Sequence, residues 1–226
     1  MLDTRTAGPC HHEGMTAFVY LHGFASGPTG RKADHCRAWA EAREIEFLAP
    51  DLNLPSFESL TISAQVEAVE ALLAGLSEPP VMVGSSLGGV VAAAVAHRGA
   101  ALKKLILLAP GLGFARRRLF SARWAGYRQH RRLPVYHHAY QRWVKLGAEL
   151  LDDLPSWADD DNWQVRTQVV VIHGRMDEAV PAAESEAFLA RHPGGVLHLL
   201  DDDHGLLKPE TLAVLDSELE MAFSGE

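Results

Sequence analysis

Continuous apolar runs rich in Val, Ile, Leu and Phe recur along the chain at Ala17 to Leu21, Ile45 to Ala49, Val81 to Gly84, Leu105 to Ala109, Val169 to His173 and Val196 to Leu200. Short runs without polar alternation are what strands buried on both faces require. Between them the rhythm becomes helical. Ala33, Cys36 and Ala40 share one stripe, and Ile62, Val66, Val69, Leu73 and Leu76 share another. A third, Leu212, Leu215, Leu219 and Ala222, follows Pro209, which suits a first helical turn. Strands alternating with helices, joined by right-handed crossovers, predict an α/β architecture with an open, doubly wound, mostly parallel sheet.

The alternation fails from Gly111 to Arg166, a stretch too long for a plain loop. It predicts a mainly helical cap, inserted at 111–166 over the carboxyl edge of the sheet. Trp124, Tyr127, Tyr136, Tyr140, Trp143, Trp157 and Trp163 are scattered through it. Up to Leu146 its charged residues are all cations: Arg116, Arg117, Arg118, Arg123, Arg128, Arg131, Arg132, Arg142 and Lys145. Pairing with Asp152, Asp153, Asp159, Asp160 and Asp161 is the expected fate of these cations, and recognition of an anionic substrate is the alternative.

The chain as a whole is acidic, with 29 Asp and Glu against 21 Lys and Arg and a net charge of -8. That balance weighs against a nucleic-acid partner, which needs a basic face to neutralise phosphates. No apolar run reaches the ~18 residues that a bilayer span requires. Residues 1–16 lack the apolar core of a secretory signal and are expected to be a flexible segment ahead of one domain at 17–226. Two cysteines, Cys10 and Cys36, are too few for a disulfide framework, so a reducing cytoplasm is expected. His11 and His12 beside Cys10, and the pair His137 and His138, lack the spacing of a zinc site, and no metal is expected.

Four motifs carry chemistry. Val81 to Gly84 runs into Ser85-Ser86-Leu87-Gly88-Gly89, and Ser86 alone has glycine two residues to either side. Such a turn from strand to helix leaves no room for a Cβ at Gly84 or Gly88, and it holds the Ser86 hydroxyl exposed at a helix start. The second motif, Tyr20-Leu21-His22-Gly23-Phe24, ends the first strand and offers the Phe24 N–H as a partner to that of Leu87 in an oxyanion hole. His22 is a weaker choice for a general base. The third motif, His173-Gly174-Arg175-Met176-Asp177, presents Asp177 as the acid, with Glu178 as its competitor. In the fourth, His204 follows the last strand and supplies the imidazole base that a neutral serine needs, while His198 lies within the strand pattern. The order Ser86, Asp177, His204 differs from that of trypsin-like and subtilisin-like enzymes.

Tyr20 to Pro28 followed by Lys32, then Asp51, Gly84 to Gly89, His173 to Asp177 and His204-Gly205 together resemble the small YqiA-like esterases of the α/β-hydrolase superfamily, and the acyl-glucuronide and palmitoyl thioesterases related to them. The resemblance covers Phe18 to Phe223. It implies the α/β-hydrolase fold and cofactor-free cleavage of a small-molecule ester or thioester by Ser86, Asp177 and His204. The cap's arginines and aromatics match no motif of that group. The superfamily also holds peptidases, C–C hydrolases and noncatalytic binding proteins, the last being the alternative of a different class.

Overall fold

The computed structural model describes residues 16–224, so the segment expected at 1–16 lies outside the described residues except for Thr16. The first half runs through β1 (Phe18–Leu21), α1 (Arg31–Glu41), β2 (Phe47–Leu48), α2 (Ile62–Ala74), β3 (Val81–Ser85), α3 (Leu87–His97) and β4 (Lys104–Leu108). Next come α4 (Phe114–Phe120), α5 (Ala125–His130), β5 (Leu133–His137), β6 (Arg142–Leu146) and α6 (Glu149–Asp153). The chain then returns through β7 (Val169–Gly174), α7 (Ala182–Leu189), β8 (Val196–Leu200) and α8 (Pro209–Ser224).

Six strands form one parallel sheet in the order β2-β1-β3-β4-β7-β8. Alternate residues of each strand feed opposite layers, as the two-residue period of a strand demands. Phe18, Val83, Ile106 and Ile172 pack with Cys36 and Trp39 of α1 and Leu215 and Leu219 of α8. Val19, Met82, Leu107 and Val171 pack with Val66 of α2, Val91 of α3 and the cap residues Phe114 and Tyr127. The registers Leu21 with Gly84 and Ser85 with Leu108 bring the carboxyl ends of β1, β3 and β4 level, which is where an open α/β sheet gathers its functional loops.

Three features differ from expectation. The second strand shrinks to Phe47–Leu48, because it is an edge pairing only with Phe18 and Val19, and Pro50 soon ends its capacity to donate. The cap contains the expected short helices α4, α5 and α6, but also an antiparallel hairpin of β5 and β6 in which Tyr136 faces Trp143. His137, fully buried, fills an inward position that an apolar residue would ordinarily mark, which hid the two-residue period. Helix α7 gave no stripe, since only Ser185 and Phe188 are buried along it.

Part of the cap's cationic charge is met by carboxylates. Arg116 pairs with Asp161 at 2.5 Å and Asp160 at 3.4 Å, Arg131 with Asp152 at 2.5 Å, and Arg117 with Glu184. Asp153 instead accepts from the Ser63 N–H and hydroxyl, and Asp159 from the Asn162 amide. Among the described residues, no helix is long and apolar enough to cross a membrane.

Candidate active site

Ser86 sits between β3 and α3 with φ 55°, a left-handed conformation that is strained for any residue with a Cβ. Four hydrogen bonds hold the turn. The Ser86 N–H donates to Leu108 O at 2.9 Å, and Ser86 O accepts from the N–H groups of Gly89 and Gly111, each at 3.0 Å, and of Val90 at 3.3 Å. A Cβ on Gly84 would lie 2.5 Å from Gly88 O, and one on Gly88 would lie 2.2 Å from Leu21 O and 2.5 Å from His22 O. The glycines therefore let α3 press against the end of β1, which places Gly23 against Ser86. Gly88→Ala is expected to destabilise the fold by about 3 kcal/mol through this backbone collision. A wild-type urea midpoint for that variant would contradict the argument.

The structure brings Ser86, His204 and Asp177 together in one chain of hydrogen bonds. His204 Nε2 lies 3.1 Å from Ser86 Oγ, and His204 Nδ1 lies 2.7 Å from Asp177 Oδ2. The Asp177 side chain is fully buried, while that of His204 is one-third exposed at 33%. Burial is the largest influence on the Asp177 carboxyl and acts to raise its pKa. Hydrogen bonds from the Val180 N–H, His204 and the Ala179 N–H outweigh it together and hold the group below the usual carboxylate range. An ionised Asp177 beside His204 Nδ1 fixes the proton there and leaves Nε2 free to accept from Ser86.

Asp202 and Glu218 are held low in the same sense, with burial opposed by Thr211, Lys208 and Asp203 in one case and by Lys104 and His198 in the other. A carboxyl with a depressed folded pKa contributes stability that is present above its unfolded value, near 4, and is lost as pH falls through its folded value. Asp160, raised first by burial, opposes this trend in part. Buried neutral His22 and His173, whose pKa values burial lowers, add a loss that starts as pH falls below the free imidazole value, so the thermal midpoint is expected to begin falling below about pH 6.5 and to fall more steeply below about pH 4. A midpoint unchanged at pH 3 would refute that sign.

The N–H groups of Phe24 and Leu87 have no hydrogen-bond acceptor among the described residues. His22 helps to set the first of them. The Leu52 N–H donates to His22 Nε2 at 2.9 Å, which leaves the ring proton on Nδ1, where it donates to Gly23 O at 2.9 Å. Burial lowers the His22 pKa and keeps the ring neutral. Gripping Gly23 O turns the Phe24 N–H away from His22, because the two groups of a trans peptide point in opposite directions. A cavity of about 570 Å³ opens beside Ser86 and is lined by Phe24, Ser26, His138, His204 and Leu207 among others.

The sequence matches a family model, described as uncharacterised protein family UPF0227, over residues 17–211. The chain belongs to UPF0227. No curated protein matches it. Among solved structures, mouse alpha/beta hydrolase domain-containing protein 10 is similar with a TM-score of 0.74 and 19% identity, covering 92% of this chain and 90% of that one. Est1E from Butyrivibrio proteoclasticus has a TM-score of 0.75 and 18% identity, covering 93% and 89%. The Paleococcus ferrophilus monoacylglycerol lipase has a TM-score of 0.71 and 14% identity, covering 94% and 97%. This member of UPF0227 therefore has the α/β-hydrolase fold.

The competing residues of the UPF0227 chain do not join the hydrogen bonds that link Ser86, His204 and Asp177. His198 points at α8 and pairs with Glu218 at 2.7 Å. Glu178 is exposed, and His22 is occupied by backbone groups on both nitrogens. The aspartates beside His204 serve the loop: Asp202 accepts from Thr211 at 2.7 Å and Lys208 N at 3.0 Å, and Asp203 accepts from Gly205 N at 2.7 Å. Among the described residues no cluster of His, Cys, Asp or Glu is arranged to hold a metal.

Two supports in this UPF0227 site were missed by sequence reasoning. His173, fully buried, accepts from the Ser185 hydroxyl at Nδ1 (2.7 Å) and donates from Nε2 to Val180 O (3.1 Å), with Asp177 Oδ2 3.2 Å from the same nitrogen. Burial lowers its pKa, so it works as a neutral brace for the Asp177 loop. The cap hairpin braces the Phe24 loop: the His138 N–H donates to Ala25 O at 2.8 Å, and Asn53 joins His137 to Ser26 O. The only signal available was polar residues at positions that a strand or turn would bury.

Proposed function

We propose that this chain is a serine hydrolase that cleaves a small-molecule carboxylic ester or thioester through an acyl-serine intermediate. The observation that carries the reading is the unbroken path from Ser86 Oγ through His204 to buried Asp177, opening on a cavity lined by Ser86, His204 and Phe24. The esterase and lipase names among proteins of the same fold support ester chemistry, and one of them, Est1E, is also known with ferulic acid bound.

In the first half-reaction the Ser86 hydroxyl gives its proton to His204 Nε2 as Oγ bonds to the carbonyl carbon. The oxygen that gains the charge sits against the N–H groups of Phe24 and Leu87. Collapse breaks the bond to the leaving oxygen or sulfur, which takes the proton back from His204. Water then loses a proton to His204 and attacks the acyl-serine, and the second collapse returns that proton to Ser86 Oγ and frees the acid. Asp177 stays ionised throughout and stabilises the imidazolium. The reading treats 17–226 as one domain with its cap at 111–166. It also places the chain in a reducing cytoplasm, as the scarcity of cysteines suggests.

The test is hydrolysis of p-nitrophenyl esters and acyl thioesters of graded chain length. Turnover of at least one series, with a burst of leaving group equal to the enzyme concentration where deacylation is slow, is expected. No hydrolysis of any member would leave a noncatalytic binding role as the better reading.

A further inference from the structure

The cavity beside Ser86 has a feature that ester cleavage alone does not use. Its wall includes Arg31 and Lys32 from the first turn of α1, together with His138 and His204, and no carboxylate. This is unusual in a chain where acidic residues outnumber basic ones by 29 to 21. Lys32 is partly buried, yet among the described residues its ammonium has no hydrogen-bond or ion-pair partner. Lys104, the other lysine taken deep into the fold, pairs with Glu218 at 2.7 Å, and the cap arginines Arg116 and Arg131 pair with aspartates. A partly buried cation without a partner is costly, and such groups are ordinarily paired.

Two further observations give the cation a direction. Helix α1 begins at Gly30 and its first turn lines the same cavity, its positive end partly offset by Asp34, which accepts from the Gly30 N–H at 3.2 Å. His204 must return a proton to the leaving atom, so the leaving group lies on the flank formed by His204, Gly205 and Leu207. That flank and the first turn of α1 are walls of one cavity.

The geometry points to Lys32, helped by Arg31 and the start of α1, as the recognition site for a carboxylate carried on the leaving group of the substrate. The substrate class is then esters or thioesters of an anionic alcohol or thiol, such as a hydroxy acid. This inference rests on the acyl-serine reading above. It also moves anion recognition from the cap arginines, of which Arg116, Arg117 and Arg131 are paired with carboxylates, to the first turn of α1. Burial is the largest influence on Lys32 and pulls its ammonium down to about 8, against the pull of Asp177, Asp202 and Asp203 from the loops after β7 and β8 and of Cys36 from the next turn of α1. A bound carboxylate would supply the missing partner.

The experiment compares 4-carboxyphenyl butanoate with its neutral counterpart, 4-methoxycarbonylphenyl butanoate, in wild type, Lys32→Met and Lys32→Arg. The readout is the ratio of kcat/KM for the anionic ester to that for the neutral ester, within each protein, so general damage to the fold or to His204 cancels. The ratio should fall at least tenfold in Lys32→Met and stay within about threefold of wild type in Lys32→Arg, the scale of one charged hydrogen bond. In wild type it should also decline as pH rises through about 8, a limb that needs no variant. A ratio in Lys32→Met equal to that of wild type would overturn the proposal. Should wild type hydrolyse neither ester, the hydrolase reading is what fails. Calorimetric binding of 4-hydroxybenzoate then decides the anion site: affinity at least tenfold weaker in Lys32→Met upholds it, and equal affinity overturns it.

Discussion

Ser86→Ala should lower kcat/KM for the best ester by roughly 10⁴- to 10⁶-fold while leaving the thermal midpoint near its wild-type value. The loss is large because no neighbouring group can stand in. Ser85 is buried at the end of β3 and makes no hydrogen bond to a histidine, whereas Ser86 Oγ is held 3.1 Å from His204 Nε2. The fold should tolerate the change because the elbow depends on the Ser86 backbone, through its bonds to Leu108, Gly89 and Gly111, and on the glycines around it. Hydrolysis by the purified variant within tenfold of wild type would remove Ser86 from the mechanism.

The second large effect is expected from Asp177→Asn, a loss of roughly 10⁴-fold in kcat. Asparagine keeps the shape of the side chain and one oxygen to accept from Ala179 and Val180, which now donate to Oδ1 at 2.9 and 2.8 Å. What changes is the group facing His204 Nδ1. An amide N–H placed there would drive the imidazole proton to Nε2, leaving nothing to accept the proton of Ser86. Glu178→Gln provides the contrast: that side chain is exposed, and the variant should stay close to wild-type turnover. If the large loss followed Glu178→Gln instead, the acid would have been assigned to the wrong carboxylate.

Much of the sheet could be read from the chain because its strands are buried on both faces, so each appears as an uninterrupted apolar run with little competition from surface residues. The residues of the proposed site were legible for a related reason. Gly84 and Gly88 stand where a Cβ would meet backbone at 2.5 Å or less, and such positions leave a mark that a tolerant surface does not. The hairpin of β5 and β6 was not legible, because its inward face includes His137, satisfied by Asn53 at 3.2 Å and stacked on Tyr140, where the alternation called for an apolar residue. Helix α7 was hidden by an Ala- and Glu-rich sequence with only two buried positions. His173 and Lys32 were named within motifs, but their roles could not be read there. Each function depends on what surrounds the side chain in space, Asp177 and Ser185 for one and an empty flank of the cavity for the other, and linear spacing does not record it.

The central claim is that Ser86 is an activated nucleophile, and covalent labelling tests it most directly. The purified protein is treated with a fluorophosphonate, its intact mass is measured, and the modified peptide is mapped by fragmentation. The account predicts one equivalent of adduct on Ser86 and none on Ser85, with labelling abolished in Ser86→Ala and slowed strongly in Asp177→Asn. No adduct at any concentration, or an adduct placed on another residue, would contradict it.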